Sequence, residues 1–166
     1  MNPEKEKIAQ IINEAFAGVT LGDGVGLWWG QVLDDWSMPA SIANYRAKHE
    51  STEERLDWRR IPAEDLNYCA SSLSFFNAAG MRFHLPAFML AELRGEFNQT
   101  VIYPLTGVCN DEKLSGFCKK KFTMLDAKQR MAVREFLLHV KDDPNYEFDR
   151  PHIEKALQEY WVDETT

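Results

Sequence analysis

The chain has 166 residues, of which 45% are apolar and 27% charged, with a formal net charge of -7. That length fits one globular domain over residues 1–166, with enough core to fold without disulfides or metals. The acidic balance argues against a general nucleic-acid binder, which carries a basic face, and suits an electropositive partner.

The three cysteines, Cys69, Cys109 and Cys118, make an odd count. The opening Met1 to Lys7 runs into an amphipathic pattern instead of a signal-peptide core. No stretch approaches the ~18 apolar residues of a membrane helix. The expectation is a cytoplasmic protein with three free thiols and no membrane span.

Ile8, Ile11, Ile12, Ala15 and Phe16 recur at helical spacing, predicting a first helix from Pro3 to Phe16 with Glu4 and Glu6 in its first turn. Thr20 to Gly26 reads as a turn. Trp28, Trp29, Val32, Leu33 and Trp36 form the apolar stripe of a second, short helix. Ser37 and Pro39 mark a stop and a new start. Ile42 and Tyr45 predict a third helix, ending in the polar run from His49 to Arg55.

Pro62 opens a fourth helix with Glu64 and Asp65 in its first turn and Leu66, Cys69, Ala70 and Leu73 inside. Asn77 to Gly80 breaks it. Met81 to Leu85 is expected to be extended, because the residue before Pro86 is pushed out of the helical region. Pro86 then starts a fifth helix through Phe88, Met89, Ala91, Leu93 and Phe97, punctuated by Gly95. Val101 to Tyr103 reads as a short strand that can pair with Arg82–Leu85 as a minor β-hairpin.

Thr123 with Asp126 resembles a helix entry. Met131, Val133, Phe136, Leu137 and Val140 carry a long sixth helix to Lys141. Asp149 caps a seventh, with Pro151 in its first turn and Ile153, Leu157, Tyr160 and Trp161 inside. The fold class is therefore mainly α, in a compact multi-helix arrangement, with Phe75, Phe83, Leu85, Phe88 and Phe136 in the core.

Candidate chemistry is sparse. Gly22 to Gly26 lacks the Lys-Ser/Thr ending of a phosphate loop, and Asp23 would repel phosphate, so a turn is the expectation. The histidines at 49, 84, 139 and 152 show no metal-ligand spacing, and Cys109 and Cys118 are too far apart for a close zinc pair. No metal or other cofactor is expected. Cys69 sits on an apolar helix face, where free Cys is usually a core residue. Lys119 to Lys121 reads as a solvated edge.

Arg82 and His84 are the leading site candidates. In an extended segment both point to one face, away from Met81, Phe83 and Leu85. The structural alternative bonds Arg82 to a carboxylate such as Asp57 or Glu64 and leaves His84 capping or packing. Asp57, Trp58 and Arg59, just before a helix, suit a partner contact, because Trp and Arg dominate binding hot spots.

The blocks Leu73-Ser74-Phe75-Phe76 and Gly80-Met81-Arg82-Phe83-His84-Leu85-Pro86-Ala87, with Ile61-Pro62, resemble a family of uncharacterised bacterial proteins. The resemblance covers the first two thirds of the chain, to about Asn98. It implies no reaction and no catalytic residues. It does imply an immunity or accessory role. The expectation is a non-enzymatic binding protein for a basic protein partner. The alternative is a small enzyme or small-ligand binder using Arg82, His84 and Asp57 around an anionic group. A membrane or nucleic-acid partner is not expected, and the oligomeric state is not constrained.

Overall fold

Phe83 to Leu93 are buried without interruption, and a single helix carries them all. The computed structural model describes residues 3–107, 116 and 118–162. Its helices are α1 (Pro3–Ala15), α2 (Leu27–Asp34), α3 (Pro39–Lys48), α4 (Ala63–Tyr68), α5 (Ala78–Arg94), α6 (Ile102–Thr106), α7 (Ala127–Lys141) and α8 (Arg150–Glu159). Short 3₁₀ turns lie at Trp58–Arg60, Ala70–Ser74 and Pro144–Tyr146. The chain is mainly helical, and no strand occurs among the described residues.

The expected β-hairpin is therefore absent from both of its segments. Met81 to Leu85 lies within α5, which runs straight through Pro86. Pro86 lacks an N–H and leaves the carbonyl of Arg82 without its helical donor, a cost of ~3 kcal/mol. Burial outweighs it. Met81, Phe83, Leu85, Phe88 and Met89 have no exposed surface, and each such side chain contributes roughly 1.5–3 kcal/mol. A helix that is apolar all round belongs in the middle of a protein. The other half of the expected hairpin enters α6, anchored by Glu92, whose Oε2 accepts from Val101 N at 2.7 Å.

The ends of α5 are built from its own sequence. The Asn77 side chain accepts from Gly80 N at 2.9 Å and from Val25 N at 3.0 Å, capping the helix and tying down the preceding loop. Gly95 closes the helix in the left-handed conformation, φ 74°, as glycine does at helix C-termini. Around α5 pack α1, α4 and the Trp58–Arg60 turn. α1 continues onto α7, α7 onto α8 and α8 onto α6. The entry to α7 falls on Asp126, not Thr123: the Asp126 carboxylate accepts from Gln129 N while the Gln129 side chain accepts from Asp126 N, a capping box.

Long cationic side chains cap the other ends. Arg134 donates to the carbonyls of Leu157 and Trp161 at the end of α8, and Arg130 to that of Tyr160. Asp149 stands at the head of α8 as expected, but its side chain makes no capping bond. Lys121 is buried and donates to Leu73 and Ser74 carbonyls at 3.1 and 2.6 Å, so one member of the basic run is a structural cap and not a solvated charge.

The hairpin of α2 and α3 is the outlying part. α2 leans on the Ala70–Ser74 turn, and α3 packs on α2 without burying a residue. The contact is close: a Cβ on Gly30 would lie 2.6 Å from the Ser72 Cβ. The Ser72 hydroxyl donates to the Leu27 carbonyl at 2.8 Å.

Of the expected core residues, Phe83, Leu85, Phe88 and Phe136 are fully buried. Phe75 is a correction, at 36% exposure; its neighbour Phe76 occupies the core instead. Three residues on from the buried Leu73, Phe76 continues the inner face in either helical geometry, and Phe75 falls beside it. The inner face of Leu66, Cys69, Ala70 and Leu73 is buried as expected. Cys69 and Cys118 are free thiols, and Cys109 lies outside the described residues. No helix among the described residues is long and apolar enough to cross a membrane.

Candidate functional site

Arg82 and His84 do not share a face. Two residues apart on a helix, they point in nearly opposite directions. His84 is wholly buried, stacked on Phe76 at 4.4 Å and edge-on to Phe83. Its Nδ1 lies 2.8 Å from the Gly80 carbonyl. A carbonyl only accepts, so Nδ1 carries the proton and Nε2 is a bare acceptor. Nε2 has no partner. Burial pushes the imidazole down to about 4, against the bond to Gly80, so it is neutral near pH 7. Arg82 is half-buried and donates from Nε to Gln129 Oε1 at 3.1 Å, not to Asp57 or Glu64. Arg82 thus bonds an amide and not the carboxylate of the structural alternative, while His84 packs in the core.

Asp57, Trp58 and Arg59 form the first 3₁₀ turn. Trp58 is 2% exposed and its Nε1 donates to the Phe16 carbonyl at 2.9 Å, so it belongs to the core and not to a contact surface. Arg59 Nε donates to Asp57 Oδ1 at 2.8 Å, and this bond holds the Asp57 carboxyl below the usual carboxylate range. Trp58 and Arg59 border a depression of about 180 Å³ against α5, with Arg94 and Glu96. The five sequence candidates therefore do not converge on one cavity.

A larger cleft of about 490 Å³ lies elsewhere, among α2, α3, the segment after α3 and the head of α4. Its walls include Trp28, His49, Glu53 and Asp65, with Lys48, Glu54 and Arg60. Glu53 organises it. The start of α2 has no capping side chain of its own, because Gly26 holds the N-cap position. Glu53 Oε1 instead accepts from Trp28 N at 2.6 Å and Trp29 N at 3.4 Å, and Oε2 accepts from the Tyr45 hydroxyl at 2.9 Å. A carboxylate here satisfies free helix N–H groups and meets the positive end of the helix. Gly26 is required: a Cβ would collide with the Glu53 carboxylate. Burial and the Glu53 charge push the Tyr45 hydroxyl up to about 12.

On this base stands an aromatic wall. The His49 ring stacks on Trp28 with centroids 3.6 Å apart and planes 10° from parallel. Tyr68 leans on Trp28 at 5.2 Å, and Trp29 meets Tyr45 at 5.1 Å. The Trp28–His49 stack also borders a second groove of about 240 Å³ between α2 and α3, with Val32, Asp35, Asn44, Tyr45 and Tyr68. Asp65 faces the larger cleft; burial raises its carboxyl above the ordinary value, with His49 opposing and Glu64 adding to the shift.

The nearby Cys69 thiol is buried and pushed up to about 12 by burial and then by Asp65 and Glu53, so it is not a thiolate nucleophile at neutral pH. The Thr52 hydroxyl donates to the Lys48 carbonyl. No group of three or more metal-ligating side chains assembles among the described residues. Sequence reasoning missed this cleft because Glu53 lies 25 positions from Trp28 and no local pattern links them. The density of aromatics from Trp28 to Tyr68 was the available signal.

A model for a family of unknown function, DUF6714, matches residues 4–165. The match extends through the C-terminal third, well past Asn98. No curated protein and no solved structure is similar to the chain.

Proposed function

The chain belongs to this family of unknown function, and we propose that it is a cytoplasmic, non-enzymatic binding protein of immunity or accessory type, docking a basic protein through its α2–α3 hairpin. The observation that carries this reading is Trp36. It sits at the hairpin tip, 89% exposed, with Met38 beside it also exposed. Trp36 and Ser37 both hold positive φ, 56° and 52°, where a non-glycine residue is strained by roughly 1–2 kcal/mol. The tip is nevertheless well bonded, with Ser37 N donating to the Val32 carbonyl at 2.9 Å and Met38 N to that of Asp35. A large indole held in water on a strained backbone has no structural return, which makes it a candidate contact.

Asp34 and Asp35 immediately precede Trp36. An exposed indole beside two carboxylates suits a partner offering cationic and apolar side chains together. The net charge of -7 adds a long-range field of the same sign.

The test is capture of partners from the source cell with wild-type protein and with Trp36→Ala/Met38→Ala. The captured protein is then purified and its association followed across salt concentration. The expected result is a basic protein lost from the double variant, whose association slows as the screening length falls from ~10 Å at 0.1 M to ~3 Å at 1 M. Unchanged capture by the double variant, or a salt-independent association rate, would overturn the reading.

A further inference from the structure

We propose that the cleft bounded by Trp28, His49 and Asp65 is a receptor for a guanidinium group, the side chain of an arginine on the basic partner; this rests on the docking reading above. The cleft and the hairpin tip belong to one unit, since Trp28 stands in the first turn of α2 and Trp36 follows its end.

The carboxylates of the cleft are differently occupied. Glu53 is spent on two backbone N–H groups and the Tyr45 hydroxyl. Glu54 accepts from Leu56 N and Asp57 N and meets Arg60 at 3.5 Å. Asp65 differs: no hydrogen bond or ion pair is made by its carboxylate among the described residues, although it is half-buried. A half-buried carboxylate without a donor is costly, and an incoming cation would remove that cost. The lining carboxylates, Glu53, Glu54 and Asp65, outnumber the cations Lys48 and Arg60. Both cations lie at exposed positions, and Arg60 is already matched by Glu54.

The aromatic wall selects among cations. Trp28 and His49, stacked face to face, line the same cleft as Asp65, and Tyr68 leans on Trp28 from the adjoining groove. A guanidinium is planar, stacks on such rings and bonds a carboxylate through two parallel N–H groups, whereas an ammonium is a compact, strongly hydrated point charge. Ring surface in the same cleft as a carboxylate that makes no hydrogen bond among the described residues therefore fits arginine better than lysine.

The experiment uses the intact chain and needs no partner. Amide and indole resonances are followed by nuclear magnetic resonance during titration with N-acetyl-arginine amide, with N-acetyl-citrulline amide as the neutral isostere and inorganic phosphate as the anionic control. Saturable shifts confined to Trp28, His49 and Asp65 are expected from the arginine probe alone. Asp65→Asn should weaken its affinity about tenfold, the loss of one charge-assisted contact. Equal shifts from citrulline, no saturable response, or shifts from phosphate instead would overturn the receptor. Because citrulline tests the charge on the unaltered protein, the result does not depend on the variant folding. Partner capture that needs Trp36 together with a silent arginine titration overturns this inference and leaves the docking reading standing.

Discussion

α5 and the α2–α3 hairpin are both helical elements rich in large apolar side chains, and they use them in opposite ways. α5 buries nearly every side chain, including an imidazole whose Nε2 has no partner and a proline that ought to break it. The hairpin buries Leu27, Gly30 and Val32 in α2, nothing in α3, and leaves Trp36 and Met38 in water. Burial in α5 is dense enough to override local preference. In the hairpin it is thin, and the strained Trp36–Ser37 tip is held by a few backbone bonds. The first region is where the molecule stores stability, and the second is where it can spare residues for contact.

Removing packing from α5 should have the largest effect. Phe83→Ala is expected to cost roughly 3–5 kcal/mol in a denaturant melt. A loss under about 1 kcal/mol would show that α5 is not the centre of the core.

His84 sharpens the same side of the comparison through pH. Its imidazole is held down to about 4 when folded and regains its ordinary 6.5 when unfolded. The unfolded state therefore binds more protons between those values, so stability is full above about pH 6.5 and falls as pH drops toward 4. The loss should reach roughly 3 kcal/mol at the bottom of that window, at about 1.4 kcal/mol for each pH unit. Glu92, whose carboxyl is raised by burial, works in the opposite sense. The measurement is thus the difference between wild type and His84→Phe, a variant that lacks the titrating ring. Parallel stability curves for the two across pH 4–6.5 would break the assignment.

Gly30 tests how the hairpin is attached. Gly30→Ala would place a Cβ against Ser72, and forced overpacking of this kind costs typically ~1–3 kcal/mol. Hydrogen exchange should accelerate in α2 and α3 while α5 keeps its protection, since thinly packed units open below the global free energy. Uniform acceleration would mean that the hairpin and core unfold as one.

Trp36→Ala should be the mildest for stability, within about 0.5 kcal/mol of wild type by thermal melt, while removing partner capture. A large destabilisation would make Trp36 a structural residue and dissolve the contrast.

Much of the helical framework was legible in advance. The stripe in α1, the inner face of Leu66, Cys69, Ala70 and Leu73 and the apolar positions of α7 all follow from 3.6-residue periodicity, whereas the fifth helix, expected to run on to Phe97, ends at Gly95. The errors share one cause. The extended reading of Met81–Leu85 trusted the local effect of Pro86, and the strand reading of Val101–Tyr103 rested on those three residues alone. Each was a local rule applied where packing from distant residues decides.

The site shows the same division more sharply. Arg82 and His84 stood out because polar groups in an apolar run are unusual, and the structure explains them as a hydrogen bond to Gln129 and a buried, neutral ring. Composition and periodicity determined the class of fold, most of the core and the sign of the surface charge. Only tertiary structure could decide that Glu53 caps α2 across 25 residues, that His49 lies flat on Trp28, and that Trp36 is left in solvent. Those facts depend on which helix ends meet in space, and a linear pattern of apolar residues fixes which face turns inward but not what lies opposite it.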